Sequence, residues 1–204
     1  MDIKTIYWDL GGVCVTNNLE TALIAHGASY DAQQKAAWAQ HRLGKTTTEE
    51  FLKQALRGTA LETKAEQLAE TMRQYIRIQP NGALPIVMRL NDVGEYKQGV
   101  ISNHSKEWGK YMREVLGIHR HFDQAMFIIS ADVGLDKTGA GIFKLALQKA
   151  GSKPDETLFW DDQENNVLMA RKAGLHAELF KDRDNAAEIL QSKYGIKVYQ
   201  NGGR

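Results

Sequence analysis

Apolar positions along this chain fall into two patterns that alternate over most of its length. Strand-like apolar runs occur at 3–8, 99–101, 126–129, 158–160 and 177–180. Between them, helical periodicity predicts helices at 84–93, 106–116, 142–150, 164–173 and 186–194. Short apolar strands separated by amphipathic helices predict an α/β fold, a parallel sheet with helices on both faces. Residues 16–80 break the alternation. They are strand-poor, with Leu19, Leu23 and Ile24 on one helical face and Phe51, Leu52, Ala55 and Leu56 on another. Thr47 followed by Glu50 fits a capping box opening the second of these helices, and further helices are expected at 36–43 and 64–78. Thr16-Asn17-Asn18 and the stretch Pro80-Asn81-Gly82-Ala83-Leu84-Pro85 punctuate the two ends. The expected organisation is an α/β core of 1–15 and 81–204 with an all-helical cap, 16–80, inserted after the first strand.

Composition adds mainly exclusions. The chain of 204 residues carries 26 Lys+Arg against 25 Asp+Glu, a net charge of +1, with 43% hydrophobic residues. That balance is of a folded globule and gives no electrostatic reason to expect nucleic acid as a partner. No apolar stretch approaches the roughly 18 residues of a membrane span. Asp2 and Asp9 interrupt an N-terminus that lacks the pattern of a secretory signal. Cys14 is the single cysteine, which excludes an internal disulfide and a cysteine-based zinc site. A cytoplasmic protein, monomer or homodimer, with neither nucleic acid nor membrane as partner is expected.

Chemistry enters through four polar clusters, each placed after a strand-like run: Asp9 with Gly11-Gly12, Ser102-Asn103-His104, the loop 130–137 ending in Lys137, and Asp161-Asp162. In an open α/β sheet the carboxyl ends of the strands form the ligand crevice, so these distant positions are expected to converge. Three carboxylates together repel one another unless a divalent cation sits among them, and all-oxygen ligands favour magnesium. An amine and a hydroxyl beside such a cation suit a phosphate.

The segments IYWDLGGV, ISN at 101–103, Lys137 and LFWDD at 158–162 resemble, in order and placement, the four motifs of the haloacid dehalogenase-like hydrolases. The first motif, Asp-Leu-Gly-Gly-Val, and the string HRLGKTTTEEF are similar to a subgroup that includes sugar-phosphate phosphatases. The resemblance implies a Rossmann-like core, a Mg2+ cofactor and a small phosphorylated substrate. It implies that Asp9 is a nucleophile forming an aspartyl-phosphate and that Ser102, the Asn103 amide and Lys137 hold the phosphate. Asp9, the Gly11 carbonyl, Asp161 directly, and Asp162 directly or through water would bind the metal.

Two positions depart from that family. Gly11 stands where most of its phosphatases carry a second aspartate as general acid, and Thr138 stands where proline usually follows the lysine. The first departure opens an alternative, a non-catalytic or weakly active protein that binds a phosphorylated metabolite and regulates. Equally, it points to a substrate with a good leaving group, such as a sugar 1-phosphate, or to proton supply by water or a cap residue. A 2-haloacid dehalogenase is the other alternative, disfavoured because the pair Asp161-Asp162 has a purpose only with a cation to bind. Other features have plainer readings. His119 and His121 read as loop residues, and Gly139-Ala140-Gly141 as a turn before a helix. Trp8 and Trp160 read as sheet core. His26, Trp38, His41 and Arg42 read as cap packing and surface, with reach to the substrate as the alternative, and His104 as a neighbour of the phosphate loop, with a substrate contact as its alternative.

Overall fold

The computed structural model describes residues 2–16, 23–24 and 31–199. Five strands, β1 (Thr5–Trp8), β2 (Lys97–Ser102), β3 (Phe127–Ile129), β4 (Thr157–Asp161) and β5 (His176–Leu179), form one sheet in the order β3-β2-β1-β4-β5. Every pairing is parallel, with Trp8 in register with Val100 of β2 and Trp160 of β4. The apolar runs predicted this sheet because both of its faces are covered. Ile6, Trp8, Val100, Leu158 and Trp160 pack on one side with Val87 and Leu90 of α4 (Leu84–Val93), Met112 of α5 (Lys106–Glu114) and Leu190 of α9 (Arg183–Tyr194). Tyr7, Ile101 and Phe159 alternate to the other side, against Phe143 of α7 (Gly141–Ala150) and Val167 of α8 (Glu164–Lys172). A one-turn helix, α6 (Ser130–Val133), follows β3 directly.

Between β1 and α4 the named elements are helical: α1 (Ala32–His41), α2 (Thr48–Ala55) and α3 (Ala65–Met72), with short 3-10 turns. The expected capping box opens α2, Thr47 Oγ1 accepting from the Glu50 N–H and Glu50 Oε2 from the Thr47 N–H. Helix α1 begins at Ala32 rather than 36, because Asp31 and Gln34 form a second capping box. The helix expected over 64–78 is helical from 65 only to Met72 and passes through a 3-10 turn at Arg73–Tyr75. Its last residues are claimed by the chain leaving β1. Thr16 N–H donates to the Arg77 carbonyl, Gln79 N–H to Cys14 and Ala83 N–H to Val13. The two strands of chain that enter and leave the helical segment are thus zipped together. Of the face at Leu19, Leu23 and Ile24, Leu23 is buried and Ile24 exposed, while Leu19 lies outside the described residues, as do Asn17, Asn18 and His26. Among the described residues no helix is long and apolar enough to cross a membrane.

Candidate active site

The site forms where three adjacent strands end. Asp9 follows β1, Ser102 closes β2 and Asp161 closes β4; with β1 at the centre, chain order reverses here, which is where α/β sheets bind ligands. Asp9 is placed by its N–H donating to the Trp160 carbonyl at 2.9 Å. Its Oδ1 accepts from Ser102 Oγ at 2.6 Å and from the Leu10 N–H at 2.7 Å. Its Oδ2 lies 2.8 Å from Lys137 Nζ.

Lys137 arrives from the loop after α6 and is almost fully buried, with its ammonium also 2.5 Å from Asp161 Oδ2. The Asn103 side chain sets this loop, Oδ1 accepting from the Lys137 N–H at 3.1 Å. Asp161 is wholly buried, and its Oδ1 accepts from the Gln163 N–H and from Asn166 Nδ2. Asp162 differs: Oδ2 accepts from Gln163 Nε2, while Oδ1 is buried without a partner. Gly12, at φ +74°, lets the neighbouring carboxylate in, since a Cβ there would lie 2.2 Å from Asp162 Oδ2.

Burial pushes the Asp9 and Asp162 carboxyls above the usual carboxylate range and raises Asp161 to about 6, in each case against the pull of Lys137. Burial works to lower the Lys137 ammonium, but Asp161 and Asp9 outweigh it and hold the group above its ordinary value. Three carboxylates share one ammonium, so the cluster is short of positive charge. Asp9, Asp161 and Asp162 can each offer an oxygen within 4.8 Å of the others, the one such cluster found among the described residues. An all-carboxylate set with a buried, unpartnered oxygen fits a hard divalent cation.

Above this cluster lies a cavity of about 740 Å³ lined by Asp9, Gly11, Asn103, Lys137 and Asp162 together with Trp38, Arg42, His104 and others. The structure thus brings together the residues expected from sequence, with Asp161 and Ser102 buried behind the cavity wall. Sequence reasoning missed Gln163 and Asn166, which hold the aspartate pair; their place in the first turn after Asp161-Asp162 was the available signal. For Trp38 and Arg42 the alternative to packing and surface holds, since both line the cavity. His41 does pack, stacked on Phe51 at 4.8 Å. His104 is buried and neutral, its imidazole lowered to about 3 by burial, Lys137 and His41. His119 and His121 sit in the 3-10 turn Ile118–His121, away from the cluster, and Gly141 opens α7 as expected. Trp8 and Trp160 are fully buried and stacked at 5.9 Å.

Comparison with known proteins agrees with this geometry. A family model described as haloacid dehalogenase-like hydrolase matches residues 3–174. The glyceraldehyde 3-phosphate phosphatase of Methanothermobacter thermautotrophicus is 38% identical over 96 residues, covering 46% of this chain and 41% of that protein. The enzyme of the same name from Methanopyrus kandleri is 30% identical over 109 residues, covering 52% and 44%. The match to this chain thus spans less than half the length of these curated relatives. A haloacid dehalogenase family enzyme of Bacteroides thetaiotaomicron, in a magnesium complex, superposes with a TM-score of 0.70 at 21% identity, covering 94% of this chain and 100% of that one. The L-2-haloacid dehalogenase of Xanthobacter autotrophicus, with chloropropionic acid covalently bound, superposes at 0.62 and 17% identity, covering 94% and 84%. At these identities the superpositions speak for the fold.

Proposed function

The chain belongs to the haloacid dehalogenase-like hydrolases, and from that membership we propose that it is a magnesium-dependent phosphatase of a small phosphorylated metabolite. The observation that carries this reading is the buried ammonium of Lys137 shared between Asp9 and Asp161, next to the unpartnered oxygen of Asp162. Dehalogenation at carbon needs no cation, whereas phosphoryl transfer needs positive charge on the phosphoryl oxygens, which Lys137 and a cation among the carboxylates would supply.

In this reading Asp9, Asp162 and the Gly11 carbonyl would hold Mg2+, while Asp161 is buried behind the cavity wall. The bound cation would supply charge that keeps Asp9 ionised and neutralises the phosphate. Asp162 is the better direct ligand, because both oxygens of Asp161 are already engaged by Lys137, Gln163 and Asn166. Asp9 attacks phosphorus, the bond to the leaving oxygen breaks with its electron pair, and an aspartyl-phosphate results. Water then cleaves the new phosphorus–oxygen bond and returns the carboxylate. Ser102, the Asn103 amide and Lys137 steady the phosphoryl oxygens. Gly11 brings no acid, so the leaving oxygen takes its proton from water or leaves as a stable anion.

Residues 16–80 serve as a cap over the core of 1–15 and 81–204. Support comes from contacts that cross between them: Arg42 Nε to Asp136 at 2.9 Å, Ser130 Oγ to the Arg42 carbonyl at 2.6 Å, and the Thr48 N–H to Glu107 at 3.2 Å. Closure of this kind excludes water from the first step.

A panel of phosphate esters assayed with and without magnesium, with Asp9→Asn as control, tests the reading. Metal-dependent turnover that Asp9→Asn abolishes is expected, together with magnesium-dependent inhibition by beryllofluoride, which mimics an aspartyl-phosphate. Turnover indifferent to magnesium, or surviving in Asp9→Asn, overturns it. Ester binding without turnover would favour the non-catalytic alternative.

A further inference from the structure

Lys35 and Trp38 of α1 and Arg42 at its C-cap are spaced three and four apart, so they lie along one face, and all three line the cavity above Asp9. Trp38 is braced from behind. Its indole stacks on Trp108 of α5 at 5.5 Å with planes 29° apart, and its edges meet His104, His41 and Phe51.

Arg42 is aimed as firmly. Its Nε donates to Asp136 Oδ2 at 2.9 Å. Asp136 is held in turn by the backbone N–H and the hydroxyl of Thr138, and the Arg42 carbonyl accepts from Ser130 Oγ. Asp136 is pulled below the usual carboxylate range; burial opposes this, but its Thr138 bonds and Arg42 prevail. With Nε engaged, the Nη groups are the guanidinium donors left for a ligand. Asp136 balances the charge of Arg42, so these donors suit neutral hydroxyls rather than a second anion. Asn165, in the first turn of α8, brings an amide to the same cavity.

An indole held against Trp108, with an anchored guanidinium and an amide lining the same cavity, matches a ring with a C–H face and hydroxyls at its edge. A three-carbon chain has no face to lay on an indole, and a cavity of about 740 Å³ is far larger than such a chain needs. Resting on the phosphatase reading above, we infer that the Trp38–Arg42 face is the specificity wall of this site and selects sugar-ring phosphates over three-carbon phosphates. The ring packs on Trp38, its hydroxyls accept from Arg42, and its phosphate lies at Asp9 and Lys137.

The test compares kcat/KM for hexose phosphates, phosphorylated at C1 and at C6, with that for glyceraldehyde 3-phosphate, in the magnesium-loaded protein. The wild type should prefer a hexose phosphate by about tenfold or more, the size of one good aromatic contact. Trp38→Leu and Arg42→Lys should each collapse that ratio, chiefly through KM. Trp38→Phe, which keeps a ring against Trp108, should restore part of it and covers the case in which the leucine variant folds poorly. A wild type that favours the three-carbon ester, or variants that lower both substrates equally, overturns the inference. Calorimetry on Asp9→Asn with the same esters measures the preference without chemistry. An inert protein that still binds hexose phosphate better through Trp38 would sink the phosphatase reading and leave the wall standing. An active one with no preference would do the reverse.

Discussion

Gly12 and Asp162 approach so closely that a methyl group on the glycine would lie 2.2 Å from the Asp162 Oδ2 and 2.5 Å from its Cγ. Gly12 also holds φ at +74°, a conformation that costs an L-residue about 1–2 kcal/mol. Gly12→Ala should therefore do two separable things. Unfolding in urea with chelator present should show a loss of about 1–2 kcal/mol from the backbone alone. Magnesium titration by calorimetry should show affinity down by roughly 10–100-fold, as for other changes that turn a metal ligand away. Unchanged magnesium affinity would remove Asp162 from the metal set.

Ser102 donates to the same Asp9 oxygen that accepts from the Leu10 N–H, at 2.6 Å and 2.7 Å. In the proposed mechanism, attack on phosphorus would change that oxygen's electron density and free the hydroxyl to turn to the phosphoryl group. Ser102→Ala should lower kcat by about 10²-fold, the cost of one donor in such a site. Magnesium affinity should move little, because Asp9 keeps Lys137 and Leu10. A fall in KM or metal affinity with kcat preserved would assign Ser102 a structural part only.

Much of this was legible in the sequence, for a physical reason. Strands buried on both faces must be apolar throughout, so β1 and β4 announced themselves, and polar residues directly after them had to lie at the sheet's carboxyl edge. Asp9, Ser102 and Asp161-Asp162 followed from that rule and from the family resemblance. What was not legible depends on partners distant in sequence. The helix expected to reach 78 stops short because Val13–Thr16, more than sixty positions away, take its backbone groups. Trp38 and Arg42 looked like surface because nothing local says that Trp108, Asp136 and Ser130 stand beside them.

His104 adds a pH dependence whose sign is fixed. Burial, Lys137 and His41 lower its imidazole to about 3 in the folded protein, against an ordinary value of 6.5. Between these values the unfolded chain binds the extra proton, so this group's contribution to stability is present above 6.5 and is lost as pH falls. The slope approaches about 1.4 kcal/mol per pH unit well below 6.5. Asp161, raised to about 6, works the opposite way, favouring the folded state as pH drops toward its unfolded value of 3.8. The comparison with His104→Gln isolates the imidazole. Urea midpoints measured with chelator between pH 7 and 5 should fall more steeply in wild type than in the variant. Parallel profiles would mean that His104 titrates normally in the fold.

Trp8 and Trp160 are register partners in β1 and β4, stacked at 5.9 Å and both inaccessible, yet they should respond differently to the same change. Trp8 Nε1 donates to Gln98 Oε1 at 3.1 Å, and the Gln98 amide in turn donates to the Val87 carbonyl and to Asn91. Trp160 Nε1 is buried with no partner. Replacing either by phenylalanine removes the same volume and leaves a similar cavity, so the packing loss is shared. Trp8→Phe additionally strands the Gln98 oxygen, whereas Trp160→Phe relieves a buried N–H that nothing satisfies. Unsatisfied buried groups cost about 1–3 kcal/mol, so Trp8→Phe should be the more destabilising of the two by about that amount. Equilibrium urea unfolding of both variants, at the same pH and with chelator, checks the difference directly. Equal losses would show that the Trp160 N–H has a partner, such as a buried water, and that the two tryptophans are held alike.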